Sequence, residues 1–440
     1  MQPGFTGLKK GGRDARTPLI AGKMPALHKR NDETMIPYDD ISMLFDSSGA
    51  AGGLDGLIHA HESESDHHGV FRALLLKRRF ELGLPLINPG ELKGAPANLK
   101  KEYEDYVEKT CREIGQKYLD AGNIVQAYRY FRTIDELDKI REALVKLESK
   151  DASEEVIAIA IDQGVHPRRG FEMTLQAHGL CRGITVYDSE FSTDLEDKRY
   201  AAGLLVRALY KDLVLGVSRA ILERFGELPP ETDLVELIRL RPWLFEDAKT
   251  HADPEHVNSV SRIGLLCEST EDLIMCLSIA EYGRMIGKHY NPAPHAPFEA
   301  GFSDYARFAR ALLGQNIDDT VTHFRSKLAV YGGSSGGNRA PAEMVVMLLW
   351  RVGKKEEALD VWQQYLNELA PEIPGVFIPS FYELCIQGKS FRRLAEAARL
   401  QGDASGFAAA RAMETQERDA AHKAIVAAPV AAPAAGESPS

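Results

Sequence analysis

The chain has 440 residues, of which 44% are hydrophobic and 27% charged, with a formal net charge of -11 and a pI near 5.7. This composition matches an ordinary folded soluble protein and excludes an intrinsically disordered one. The acidic balance argues against general nucleic-acid or anionic-membrane binding, and no run approaches the roughly 18 apolar residues that a membrane helix needs.

Residues 1–34 carry Lys9, Lys10, Arg13, Arg16, Lys23, Lys29 and Arg30 but no apolar stretch of signal-peptide length, so this segment is expected to be a disordered leader. Folded patterning begins near Met35, which is itself a candidate start. From there apolar residues recur at three- and four-residue spacing, which predicts helix after helix. Phe71, Leu74, Leu75, Arg78 and Leu82 outline one helix that stops at Gly83 and Pro85. The next begins near Ala97 and carries Tyr103, Tyr106, Val107, Cys111, Ile114, Tyr118 and Leu119 on one side.

Further helices are expected over Ser153 to Gln163, with Ser153 as cap, and over Pro167 to Gly179, Leu195 to Phe225, Thr232 to Leu240, Asn258 to Leu266 and Thr270 to Lys288. Ile184 to Tyr187 is the one β-like stretch. Asn291 to Pro297 and the Gly/Ser-rich Tyr331 to Ala340 break the pattern, and with Glu148 to Ser153 they mark the expected module boundaries. The Ala/Pro-rich end, 426–440, is expected to stay disordered. Cys111, Cys181, Cys267, Cys276 and Cys385 show no CxxC spacing and read as reduced core thiols of a cytoplasmic protein.

One segment is more specific. Cys111 to Ile134, CREIGQKYLDAGNIVQAYRYFRTI, resembles the tetratricopeptide repeat. That motif needs small residues where its two helices cross and large ones to fill the groove. Gly115 and Ala127 occupy small positions, Tyr118 and Phe131 aromatic ones, and Gly122 lies at the turn. Cys111 replaces the usual tryptophan and Lys139 the usual proline. Met344 to Leu366 is a second hairpin of this type, with Gly353 at the turn, Ala358 at the crossing and Trp362 as the bulky residue; Val346 and Leu349 depart from the motif. Gly314 and Gly388 look like turns of related hairpins.

The resemblance implies an all-α fold of stacked helical hairpins, a tetratricopeptide-like or irregular α-solenoid, whose groove takes another protein or peptide. The expected organisation is a leader (1–34), a helical region with the repeat-like hairpin (35–150), a central helical region (151–297), C-terminal hairpins (298–425) and a tail (426–440). Tyr118, Tyr128, Arg129 and Arg132 are the expected exposed groups near the groove.

Chemical candidates are sparser. His59, His61, Glu64, His67 and His68 crowd one short segment, and Glu64-x-x-His67 has the spacing of half a di-iron carboxylate site. Its nearest companion is Asp253-x-x-His256, and the simpler reading is a solvated polar helix end. His178 and Cys181 sit three apart, beside His166, Arg168, Arg169, Tyr187 and Asp188; the pair can ligate zinc or act as base and nucleophile, or simply end a helix. His289 and His295 flank prolines on a connection. Gly332 to Asn338 has Asn338 where a phosphate loop needs lysine, which excludes that motif.

The reading that follows is an intracellular helical-repeat scaffold or protein-protein interaction module, with no cofactor, a protein or peptide partner, no nucleic acid and no membrane. A helical metalloprotein or enzyme using the His/Cys/carboxylate groups, and a structural homo-oligomer, are the alternatives.

Overall fold

In a computed structural model of the full chain, the described residues are 38–427, apart from 88–91, 93, 190, 193, 288, 291–294, 332–338 and 367–377. The expected leader, residues 428–440 of the expected tail and most of the Gly/Ser-rich break lie outside them, while Val426 and Ala427 belong to the last helix. Among the described residues the fold is all-α, with no strand, and no helix is long and apolar enough to cross a membrane. The residues divide into two compact units, one up to Met173 and one from Thr174 onward.

The first unit contains α1 (Tyr38–Ser63), α2 (His67–Glu81), α3 (Ala97–Asp120), α4 (Ile124–Thr133), α5 (Asp138–Lys146), a short 3-10 turn (Ser149–Asp151), α6 (Glu154–Ile161) and the start of α7 (Pro167–Ser189). From α1 to α5 each helix packs on the next, and α4 packs against α6 as well. α1 is two helical pieces joined at Gly49, whose φ of 71° only glycine adopts without cost. The piece before Gly49 folds back on the piece after it. A Cβ on Gly53 would lie 2.2 Å from the Phe45 ring, and one on Gly56 2.4 Å from Leu44 Cδ1. The glycines in Ala50 to Leu57 thus let the Leu44, Phe45 and Ser48 side chains of the first piece lie directly on the backbone of the second.

α7 is broken in the same way at Gly179, with φ 74° and ψ -171°. The β-like stretch Ile184 to Tyr187 is helical in the piece after this break. A four-residue apolar run cannot by itself distinguish a strand from a buried helix turn.

The second unit is organised along α8 (Leu195–Phe225), a 31-residue helix. Its buried stripe runs from Ala201 through Leu205, Leu209 and Leu213 to Val217 and Ile221. Against it pack α9 (Leu234–Arg239), α10 (Pro254–Ile263), a 3-10 turn (Gly264–Leu266) and α11 (Thr270–Ile286). Then come α12 (Phe302–Leu312), α13 (Ile317–Tyr331), α14 (Ala340–Arg351), α15 (Lys355–Tyr365), α16 (Phe381–Gln387), α17 (Phe391–Leu400) and α18 (Ala404–Ala427), each packed on the next. The expected Leu195 to Phe225 helix is found with those bounds, and Ser153 caps α6 by accepting from the Val156 N–H.

One connection recurs in both units. At the α3–α4 turn the Asn123 N–H reaches back to the Tyr118 carbonyl at 2.8 Å, around Gly122 at φ 74°. The same six-to-one bond closes α12–α13 (Gln315 to Arg310, 2.9 Å), α14–α15 (Lys354 to Leu349, 2.8 Å), α16–α17 (Ser390 to Cys385, 2.8 Å) and α17–α18 (Asp403 to Ala398, 2.9 Å). This is the Schellman closure, which satisfies orphan carbonyls and needs a left-handed residue after the helix. Gly314, Gly353 and Gly402 supply it. Gly388 does not: its φ is -83°, and Lys389 takes the left-handed position at φ 56°.

Candidate functional site

The α3–α4 hairpin is closely packed where its two helices cross. Ala127 and Phe131 are fully buried, and a Cβ on Gly115 would lie 2.8 Å from the Phe131 ring. Lys139, at the position where the motif has proline, places its ammonium over the outer side of Phe131 and donates to Gln116 Oε1 at 2.7 Å.

Of the four expected groove residues, two are engaged in packing. Tyr118 is half-buried and stacks on Tyr130, with ring centroids 5.6 Å apart. Tyr128 is buried rather than exposed; its hydroxyl donates to Gln163 Oε1 at 3.4 Å. Arg132 is exposed and joins the same amide at 3.2 Å, while Arg129 is exposed on the outer side of α4.

Beside this hairpin lies an open cleft of about 490 Å³. The α3–α4 turn and the first residues of α4 form one wall; Leu147, Asp151, Ser153, Glu155 and Val156 form the other. Ile124 and Val156 are buried at its base, and the exposed carboxylates Asp151 and Glu155 stand at its rim.

The histidine-rich segment forms the joint between α1 and α2 rather than a solvated helix end. Asp66 caps α2, one carboxylate oxygen accepting from the Gly69 N–H at 3.1 Å and the other facing His61 Nδ1 at 3.2 Å. The His61 ring lies where a Cβ on Gly69 would be. His67 meets Tyr118 edge-on at 5.2 Å, and His68 Nδ1 is 2.7 Å from the Tyr130 hydroxyl. His59 and Glu64 remain exposed.

Burial, and then the Arg72 charge, lower the His68 pKa, while Asp66 works in the opposite direction. Below about pH 6.5 the unfolded chain therefore takes up a proton that folded His68 resists, and stability falls with falling pH in that window. Denaturant unfolding followed at pH 7.5 and 5.5 is expected to show a smaller acid loss for His68→Gln than for the native chain; equal losses in both would reject this assignment.

His178 and Cys181 lie on either side of the Gly179 break, and both are exposed, so Cys181 is not the core thiol that was expected. The other four cysteines are buried. Burial pushes the thiols of Cys111, Cys267 and Cys385 up to about 12 and that of Cys276 well above the ordinary range, which leaves them protonated and poor nucleophiles at neutral pH. Asp188 forms a two-pronged ion pair with Arg262, both bonds 3.0 Å, and Tyr187 lies under the Lys198 ammonium. His166 accepts the Arg169 N–H at the start of α7. Arg169 continues to the carbonyls of Leu144 and Leu147, tying α7 to the end of α5. Among the described residues, no group of three or more His, Cys, Asp or Glu side chains is arranged to hold a metal ion.

One buried carboxylate with three donors was not legible as a site. Asp304, 2% exposed on α12, accepts from the Ala300 N–H (2.9 Å), from Lys327 Nζ (2.7 Å) and from His323 Nε2 (2.8 Å). Nearby, His295 Nε2 is 3.2 Å from the Tyr305 hydroxyl. The available signal was a carboxylate on the apolar stripe of α12 between Phe302 and Tyr305. His323 and Lys327, four apart on α13, gave no sign of being its partners.

No protein-family model matches the chain, and no curated protein matches its sequence.

Proposed function

We propose that this chain is a helical-hairpin scaffold that binds a partner peptide, and that the peptide lies in the cleft between the α3–α4 turn and α6. The observation that carries this reading is the open cleft of about 490 Å³ beside the repeat-like hairpin, apolar at its base and acidic at its rim. A concave surface with a few convergent polar groups is the usual form of a recognition site. The rim carboxylates favour a segment bearing lysine or arginine beside a small apolar side chain that reaches Ile124 and Val156. The recurring Schellman-closed turns support the same reading, because hairpins of one geometry stack into arrays that leave such clefts open.

The test is a peptide array of systematically varied basic and acidic decamers, probed with the native chain and with Glu155→Arg. Basic-apolar peptides are expected to bind, and Glu155→Arg, an exposed change that leaves the fold intact, is expected to weaken them by about tenfold, or roughly 1.4 kcal/mol. Binding should also fall as salt rises past the point where exposed charges are screened. Equal binding of acidic and basic peptides, or no effect of Glu155→Arg, rejects the cleft as the site.

A further inference from the structure

The last third of α8 is an unusual surface. Val217 and Ile221 hold it to the unit, yet on the adjoining face Leu215, Leu222 and Phe225 are 54%, 39% and 58% exposed, Phe225 also meeting Trp243 edge-on at 5.7 Å. With Ser218 between them they follow the alternating three-and-four spacing of a coiled-coil seam, at 215, 218, 222 and 225. A helix confined to one core would place polar groups on this side.

The charges beside the seam indicate what covers it. Asp212 and Arg219 are both exposed, occupy equivalent flanking positions one heptad apart, and form no ion pair with each other or with other described residues. Consider two copies of α8 laid antiparallel, with Leu215 of each against Ser218 of the other. The same two-fold operation brings Asp212 of each copy opposite Arg219 of the other, so two ion pairs form by symmetry. It also puts Phe225 against the small Ala208 and lays the aliphatic stem of Lys211 along Leu222, its ammonium reaching water. Opposite charges at such flanking positions set partner choice and orientation in helix pairs. A parallel alignment in register would instead put the two copies of Asp212, and of Arg219, on opposite flanks of the seam, so that the Asp212–Arg219 pairs could not form.

We infer that this face of α8 is an isologous, antiparallel self-association surface whose partner is a second copy of this chain. A seam of about three turns buries less than the roughly 1,200 Å² of a standard stable interface, so the dimer is concentration-dependent rather than obligate. The inference does not depend on the peptide cleft, which lies in the other unit.

Sedimentation velocity on the full chain over a hundredfold range of concentration tests it. The native chain is expected to show a monomer–dimer equilibrium. Leu222→Glu should abolish the dimer. Asp212→Arg alone, and Arg219→Asp alone, should each raise the dissociation constant by about tenfold or more, since each creates like-charge contacts at both ends of the seam. The double variant Asp212→Arg with Arg219→Asp restores opposite charges and should restore the dimer, a recovery that general surface damage cannot mimic. All substituted positions are exposed, and circular dichroism verifies that each variant is folded. A native chain that stays monomeric throughout, a dimer unaffected by Leu222→Glu, or a double variant no better than the singles would overturn the inference.

Discussion

Replacing Asp304 with alanine is expected to destabilise the second unit by about 3–5 kcal/mol, the usual cost of removing one partner from a buried ion pair. The carboxylate is almost fully enclosed and holds three donors: the Ala300 amide, His323 and Lys327. Without it, the Lys327 ammonium, itself only 15% exposed, keeps Glu299 at 2.6 Å and the Pro297 carbonyl at 2.5 Å. These remaining contacts place the loss toward the lower end of the range, and Asp304→Asn, which keeps the shape, should lose less.

Burial by itself would raise the Asp304 pKa; the hydrogen bonds from Lys327, the Ala300 amide and His323 together outweigh it and hold the group below the ordinary carboxylate range. A carboxyl depressed in the folded state stabilises at pH values above its unfolded pKa, near 3.9, and that stabilisation is lost as pH falls below it. The alanine variant should therefore show a smaller acid-induced loss than the native chain between pH 5 and pH 3. The measurement is direct, because Trp243, Trp350 and Trp362, the only tryptophans, all lie in the second unit. Their fluorescence during denaturant unfolding reports this unit alone. A loss under about 1 kcal/mol would mean that water replaces the carboxylate without penalty.

Phe131→Ala should cost the first unit about 3–5 kcal/mol, since the ring is fully buried and its removal leaves a cavity in the hairpin. Gly115→Leu should destabilise for the opposite reason. Its first side-chain carbon would already sit 2.8 Å from the ring, and the neighbouring helix has nowhere to move without opening the turn. The two changes act on one volume, so the double variant should be less destabilised than the sum of the singles, the leucine filling the space the phenyl ring leaves. This transition carries no tryptophan signal, so it is read by far-ultraviolet circular dichroism. Strict additivity of the two losses would show that Gly115 and Phe131 do not share a packing site.

What the sequence reveals is mainly what is local. Ser153 capping α6, the full span of α8 and the turns at Gly122, Gly314 and Gly353 depend on residues within one or two turns of each other. The left-handed position after a helix is a local steric demand as well, although at α16–α17 it falls one residue later than the glycine suggested, on Lys389. Gly115 and Phe131 read separately as a small and an aromatic position of two successive helices; that the ring packs on the glycine is seen only in the structure.

The fates of the polar side chains were not legible. Four histidines in ten residues read more simply as a solvated helix end than as a metal half-site, and the structure makes three of them parts of a helix joint, because Asp66, Gly69, Tyr118 and Tyr130 close around them. Tyr128 reads as exposed on its own helix until Gln163, 35 residues on, meets its hydroxyl. Likewise Asp304 and Lys327 are separated by 23 residues and a turn, and no local periodicity links them.

The sequence by itself therefore determined that this protein is helical, where many of its helices begin and end, and how one hairpin closes, since backbone sterics, capping and amphipathic spacing act over a few residues. The tertiary structure alone decided that α1 doubles back at Gly49, that Asp304 is a buried hub and that the end of α8 presents an apolar seam to solvent. Each of these depends on which distant surfaces meet, and that is set by the summed burial of many side chains rather than by any short stretch of chain.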